Sequence, residues 1–461
     1  MLVQFKVGNF LSFKDEVTFS MVGYPPIKEH EGEGDFCNTN YSSFEKIKLL
    51  KSAVLYGSNG SGKSNLLSAM SFCKKFMITS NEGQTADEIN VLKFLLSSEM
   101  DDEPSFFEII FIIDDIRYRY GFEVDTEKVH SEWLFSLKNS PHAKETQLFI
   151  REFQEIKINS RSFKEGKGVE NKTRINTLFL SAVGQWDGDI AEQILTWFRF
   201  NFNIISGLDD TTTSYTVKKF VEDTDFKNTV IQFFKNIQIG FENIEITENS
   251  NLIEDPFKNV PDELSNEAEE LITALQKFKT KINKDVDTQQ MSIFASHKKF
   301  DNTKKNSENI AFDFSLESKG TIKIFSLLGP IIDTIQKGKI LIIDELDSRL
   351  HTLLTMELIK FFHHKSNKKA QLIFASHDTN LLRKEIFRRD QIWFTEKDNF
   401  GATDLYSLIE YKVNQAKIRN DASFEKDYLI GRYGAIPFLG NIRQFIQDFL
   451  YEYEQKEKET A

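Results

Sequence analysis

The sequence is poor in the residues that staple, break or anchor a chain. Cysteine occurs twice in 461 residues, as Cys37 and Cys73. That excludes a disulfide-framed secreted scaffold and fits a reducing compartment. Eight prolines argue against long disordered linkers. No stretch approaches the roughly 18 consecutive apolar residues of a membrane-spanning helix. The start, Met1 to Phe10, alternates polar and apolar residues and lacks a signal peptide's apolar run. A cytoplasmic protein with no membrane partner is expected.

Excess positive charge is missing too. Lys and Arg number 58 against 70 Asp and Glu, a net charge of −12. The phosphate backbone repels such a chain, so nucleic acid is not the expected direct partner. The basic clusters Lys298, Lys299, Lys304, Lys305 and Arg383, Lys384, Arg388, Arg389 read as solvated faces. What the chain has in quantity is phenylalanine, 43 residues, within a 40% hydrophobic composition. This is a globular protein with an aromatic-rich core.

Periodicity sketches an α/β organisation. Residues 2–7 and 16–22 alternate as a hairpin, with Gly8-Asn9 at the break. Residues 29–41 read as a loop. Residues 51–56 form an apolar strand, then a glycine loop, then a helix from Lys63 to about Met77. Residues 106–113 and 116–124 suggest a second hairpin, and 133–137 and 147–153 further strands. From about 208 to 290 charge rises and glycine nearly vanishes; Glu263–Lys284 has helical spacing, which suggests a helical insertion. Residues 339–344 and 371–376 are strand-length apolar runs, each followed by a helix-like stretch, the pattern of a parallel sheet. The expected division is 1–207, an N-terminal lobe; 208–295, a helical insertion; and 296–461, a C-terminal lobe.

Four clusters carry chemistry. Gly57-Ser58-Asn59-Gly60-Ser61-Gly62-Lys63-Ser64 is a P-loop. Its small residues let backbone N–H groups wrap phosphates at a helix N-terminus. Lys63 reaches the β- and γ-phosphates and Ser64 offers its hydroxyl to Mg²⁺. Ile340 to Ile343 end in Asp344-Glu345. An acid at the end of a buried strand is costly unless it meets a cation, so Asp344 is assigned to Mg²⁺ and Glu345 to general-base catalysis. Ser318-Lys319-Gly320 precedes an apolar helix and offers a hydroxyl, bare N–H groups and a dipole to an anion; an ordinary N-cap explains Ser318 equally. His377 follows the strand 371–375 and is placed to reach a γ-phosphate or the attacking water. A nucleoside triphosphate, ATP with GTP as the alternative, and Mg²⁺ are the expected ligands.

Taken in order, these clusters resemble the ABC-type ATPases, specifically the SMC/RecF-like branch, and Phe10-Leu11-Ser12-Phe13 ahead of the P-loop strengthens the likeness. The resemblance implies Ser318 and Gly320 as the signature, Asp347 as the D-loop acid and His377 as the switch histidine. It implies an ABC-type fold with a mixed sheet and an antiparallel N-terminal lobe. It prefers adenine, in keeping with the absence of an Asn-Lys-x-Asp guanine motif. It leaves the Q-loop glutamine open between Gln147 and Gln185. Tyr118 to Phe122, Glu132-Trp133-Leu134, Thr177 to Ser181 and Tyr428 to Pro437 are similar to the bacterial RloA/AbiLii-type anti-phage ATPases. The ABC-type resemblance implies a composite site shared between copies, in a dimer or larger ring. The anti-phage one implies partners: a separate effector, a Toprim-type nuclease, and a phage-encoded trigger.

Three alternatives stand against this, one of them a transporter ATPase, whose subunits share these motifs but are usually shorter and lack such an insertion. A DNA-repair or DNA-tethering ATPase would need a basic surface and long coiled-coil arms or a Cys-x-x-Cys hook. A self-contained nuclease would need a Toprim domain, for which the stretch after His377 is too short. Asp187-Gly188-Asp189, Asp223-Thr224-Asp225 and Asp285-Val286-Asp287 lack a preceding apolar strand and read as loop acids.

Overall fold

Alternating and all-apolar runs sort the strands into two kinds of sheet. The computed structural model describes residues 1–24, 35–41, 47–248 and 291–451, apart from 85, 141, 209–210, 303–306, 414–415, 418–422, 438–439, 441 and 443. The chain begins with β1 (Leu2–Gly8) and β2 (Val17–Ser20), makes the short hairpin β3 (Thr39–Tyr41) and β4 (Lys48–Leu50), and enters the P-loop from β5 (Ser52–Tyr56). Helix α1 (Lys63–Thr79) leaves it. Strands β6 (Ser105–Ile113), β7 (Ile116–Val124), β8 (Val129–Lys138), β9 (Thr146–Glu152) and β10 (Glu155–Ile158) form a meander, followed by α2 (Phe179–Gln185), α3 (Asp189–Asn201) and β11 (Phe202–Ser206). Next come α4 (Thr213–Glu222), α5 (Thr224–Asn236), β12 (Phe241–Glu248), β13 (Met291–Phe300), β14 (Ser307–Asp313) and α6 (Lys319–Lys337). The chain continues through β15 (Ile340–Asp344), α7 (Thr352–His363), β16 (Gln371–Ala375), β17 (Ile392–Lys397), β18 (Thr403–Ser407) and α8 (Phe424–Leu429).

Two compact units result, Met1–Asp209 with Ile331–Ala461, and Asp210–Pro330. In the first, a six-stranded sheet runs β11-β15-β16-β5-β17-β18. It is parallel except for the β17–β18 pair. β5 and β16 are buried at every position, as parallel strands covered on both faces must be. The second sheet is antiparallel, β10-β9-β8-β7-β6-β1-β2. Gln371, wholly buried on β16, ties the two together: its Oε1 accepts from Leu2 N (2.7 Å) and its Nε2 donates to Leu2 O and Leu50 O. This is the α/β architecture, a nucleotide sheet with an antiparallel lobe, that the ABC-type resemblance implies.

The phenylalanines do fill the core. Phe10, Phe72, Phe107 and Phe122 pack edge to face and stacked between α1 and the antiparallel sheet, with centroids 5.1–5.6 Å apart. Aromatic pairs at this spacing add to plain burial.

The second unit holds α4, α5 and an antiparallel three-stranded sheet, β12-β13-β14. It ends later than the 208–295 insertion expected, because β13 and β14 pair back onto β12 instead of joining the nucleotide sheet. Ser318 and Gly320 therefore belong to this unit. The helical spacing at 263–284, the acids 285–287, and Lys304 and Lys305 lie outside the described residues, as does part of the loop expected at 29–41.

One expectation needs correction. Of Arg383, Lys384, Arg388 and Arg389 only the first is exposed and Lys384 is half-buried, while the last two do not join a solvated face. Arg388 is 2% and Arg389 9% exposed. Arg388 makes two hydrogen bonds to Asp390, the shorter 2.7 Å, and donates to Tyr24 O. A paired guanidinium can be buried where an isolated charge cannot. Asp223, read as a loop acid, caps α5 by accepting from Phe226 N, and Asp189 stands in the first turn of α3. Both suit a helix N-terminus.

Candidate active site

The P-loop connects β5 to α1, and tertiary contacts hold it open. Gly62 has φ +114°, and a Cβ there would come within 2.6 Å of the Thr403 side chain, so glycine is required. Thr403, on β18, donates from Oγ1 to Ser61 O (2.9 Å) and lies 2.8 Å from Ser12 Oγ. Ser12 Oγ accepts in turn from Asn65 Nδ2 (2.7 Å), and Ser12 O accepts from Thr403 N (2.7 Å). Ser61 Oγ meets Thr395 Oγ1 at 2.6 Å. The backbone N–H groups at the start of α1 carry no side-chain cap and are free to take an anion.

Lys63 is 5% exposed and folds back, donating to Gly57 O (2.8 Å) and Ser58 O (3.2 Å). Burial lowers its pKa, and the charges of Asp344, Glu345 and Asp347 oppose that shift. Asn59 to Asn65, Glu345, His377 and Lys397 line one cleft of about 730 Å³. A smaller adjoining hollow, about 340 Å³, is walled by Tyr56, Gly57 to Asn59, His377 and the C-terminal residues Tyr428, Leu429, Ile436 and Pro437.

Asp344 ends β15 opposite Ser206 of β11. The chain after β11 hugs this strand end: Gly207 N donates to Asp344 O (2.6 Å), and a Cβ on Gly207 would strike the carbonyls of Asp344 and Glu345. Glu345 adopts φ +56°, a left-handed conformation that costs a non-glycine residue about 1–2 kcal/mol. Asp347 accepts from His377 N (3.2 Å) and Asp378 N (3.1 Å) through Oδ2. It thereby fastens the loop carrying His377 to the Asp344-Glu345 turn.

The donor set suits Mg²⁺. Asp344 Oδ1 is buried without a hydrogen-bond partner, an orphaned acceptor of the kind a cation or its water satisfies. Ser64 lies in the cleft and adds a second hard oxygen. Among the described residues no cluster of three or more His, Cys, Asp or Glu could hold a metal by itself. The remaining ligands would be phosphate oxygens and water, as is usual for this ion.

In the second unit, Ser318 Oγ accepts from Thr321 N (3.1 Å) and meets Thr321 Oγ1 at 2.8 Å. It caps α6, so the capping role and an exposed helix start coexist. Glu317 beside it pairs with His297 Nε2 at 2.5 Å.

The structure thus gathers Asn59 to Ser64, Glu345 and His377 in one cleft. Gly57 and Ser58 lie in the adjoining hollow; Asp344 and Asp347 line neither, standing on either side of Glu345 along the chain that leaves β15. Neither Q-loop candidate lines the cleft: Gln147 is on β9 and Gln185 ends α2. Sequence reading missed Asn65, Thr395, Lys397 and Thr403, which no motif marks. Tyr428 was quoted only as part of a resemblance; its ring lies 5.9 Å from that of Tyr56 and stacks on Phe394 at 5.4 Å.

A protein-family profile described as "AAA domain, putative AbiEii toxin, Type IV TA system" matches residues 52–166 and 199–383, well over half of the chain. The chain belongs to this family. No curated protein sequence matches. Among solved structures, the SMC head domain from Thermotoga maritima is 13% identical, covering 88% of this chain and 98% of its own, with a TM-score of 0.36. An SmcHead bound to the C-winged helix domain of ScpA is 13% identical, covering 88% and 97%, with a TM-score of 0.37. The recombination mediator protein RecF is 14% identical, covering 88% and 98%, with a TM-score of 0.31. Among the described residues no helix is long and apolar enough to cross a membrane.

Three of the segments quoted for the family resemblance meet in the structure. Glu132, fully buried, accepts from Tyr120 Oη (2.8 Å), Phe179 N (2.5 Å) and Leu180 N (2.9 Å). Arg151 Nη1 lies 3.7 Å from Glu132 and donates to Thr177 O (2.6 Å). Trp133 covers Gly121. The motifs at 118–122, 132–134 and 177–181 are one buried knot that caps α2.

Proposed function

We propose that the chain binds ATP with Mg²⁺ and hydrolyses it as the switch subunit of a bacterial anti-phage, abortive-infection complex. The carrying observation is the convergence of the P-loop, Lys63, Glu345 and His377 on one cleft. The N–H groups of the P-loop and the start of α1 bind the β- and γ-phosphates. Lys63, buried and held by two carbonyls, exchanges them for phosphate oxygens, a better partner for an ammonium. Glu345 takes the proton of the attacking water and His377 hydrogen-bonds the γ-phosphate or that water. Mg²⁺, held through Ser64 and Asp344, would neutralise phosphate charge.

Ser318 and Gly320 complete the site of a second copy, with Asp347 at the same junction. ATP binding closes the interface and hydrolysis relaxes it. The family description, which names an AbiEii toxin and a Type IV TA system, supports a defence role. On this reading the protein is AriA-like, of the PARIS type, and restrains a separate Toprim-type nuclease until a phage-encoded trigger acts.

Three measurements test this. Phosphate release should fall by about 10²–10⁴-fold in Glu345→Gln, with ATP still bound; full activity in that variant would reject Glu345 as the base. Affinity capture of Glu345→Gln with ATP from its native cell should recover a nuclease in stoichiometric amount. Chromosomal DNA with repair factors and no effector would reject the defence reading. Ser318→Arg should abolish ATP-dependent association; association at wild-type strength would reject the composite site.

A further inference from the structure

Among the described residues, the helical stretch nearest the C-terminus presents an exposed apolar face. Residues 442 and 444–451 are helical. Ile442, Phe445, Ile446, Phe449 and Leu450 follow the i, i+3, i+4, i+7, i+8 spacing of a single helix face, and Tyr451 borders it. All six are between 48% and 67% exposed. Phe445 and Phe449 stack at 6.4 Å. On the polar side Gln444 Nε2 donates to Asp448 Oδ1 (2.8 Å).

At roughly 150–250 Å² per large side chain, the exposed fractions amount to on the order of 700 Å². That exceeds the roughly 300–600 Å² of the largest apolar patch on a typical monomer. It approaches the roughly 800 Å² that each partner contributes to a stable interface. A helix in a protein draws most of its stability from packing of its apolar face.

We propose that a second copy of the chain covers this face, the two C-terminal helices pairing across a two-fold axis in an interface that needs no nucleotide. Three features favour a second copy. The area is close to what a stable dimer needs. The ridge of stacked phenylalanines flanked by Ile and Leu is self-complementary, as an isologous contact requires. Between 442 and 451 the only charged residues are Arg443 and Asp448, so the stretch is net neutral. It therefore lacks the basic flank by which a helix takes a lipid or nucleic-acid surface. The interface is distinct from the composite nucleotide site and stands whether or not the chain hydrolyses ATP.

The test is the mass of the full chain by light scattering or sedimentation equilibrium, without nucleotide and with chelator. Wild type should have twice the mass of one chain, and the double substitution Phe445→Glu, Phe449→Glu the mass of one. Both positions are exposed and lie outside the cleft, so the variant should stay folded and keep its ATP affinity. Leu450→Cys should form an intermolecular disulfide on mild oxidation. A monomeric wild type, or a double variant that stays dimeric, overturns the proposal. So does loss of the nucleotide-free dimer in Ser318→Arg, since that would move the contact to the composite site. Loss of only the ATP-dependent association in Ser318→Arg leaves the helix pairing in place.

Discussion

Thr403→Val is the most informative single change, because it alters the P-loop from outside every motif. Thr403 is 4% exposed. Its hydroxyl donates to Ser61 O at 2.9 Å and touches Ser12 Oγ at 2.8 Å. Valine keeps the shape and leaves the Ser61 carbonyl without its donor. A buried acceptor stripped of its partner costs about 1–3 kcal/mol. Taking about 2 kcal/mol, the thermal midpoint of a unit of this size should drop by about 3 °C. The loosened loop must be reordered on binding. About 1.4 kcal/mol spent so weakens ATP binding about tenfold. A fluorescent ATP analogue titrated against both proteins, beside calorimetric melting curves, measures the two effects. Thr403→Ser, which restores the hydroxyl, should recover most of the affinity. If Thr403→Val melts and binds as wild type does, the buttress has no role and the P-loop is held by local sequence alone.

Three further outcomes follow from the same geometry. Glu132→Ala should destabilise the first unit by about 3–5 kcal/mol in denaturant titration, because it leaves Arg151 buried without its countercharge and uncaps α2; a loss below about 1 kcal/mol would mean the knot is dispensable. Lys397→Met should raise the KM for ATP about fivefold with kcat little changed, since an exposed cation on the cleft adds binding but no proton transfer; a fall in kcat alone would assign Lys397 to chemistry instead. His363 is fully buried against Ser52 Oγ (2.7 Å), and burial, aided by Lys51, holds its pKa down to about 3. Its folded value lies below the unfolded one near 6.5, so between the two the unfolded chain binds the extra proton. Stability should therefore fall as pH drops below about 6.5, by up to about 1.4 kcal/mol per unit, and His363→Gln should flatten that slope; an equal slope in the variant would assign the pH dependence elsewhere.

The motifs were legible in sequence because their chemistry is local. A P-loop needs small residues in one turn, a strand before and a helix after, all within about 25 residues, and β5 and α1 lie where those signals put them. The acids of 344–345 announce themselves by ending an apolar strand. Even the hairpin of β6 and β7 follows from alternation around Asp114-Asp115, both with positive φ. Other features depend on contacts between residues hundreds of positions apart. Thr403 against Ser61, Gln371 against Leu2, and Tyr428 beside Tyr56 are set by strand order and register, which hydrophobic periodicity does not encode. The burial of Arg388 and Arg389 was unreadable for the same reason. A run of cations looks solvated until the fold supplies Asp390 and a backbone carbonyl to receive it. The sequence by itself determined that this chain would form a P-loop, a backbone cradle of the kind that suits an anion. Only the tertiary structure decided what braces the cradle, because bracing is a matter of which distant atoms come within 3 Å.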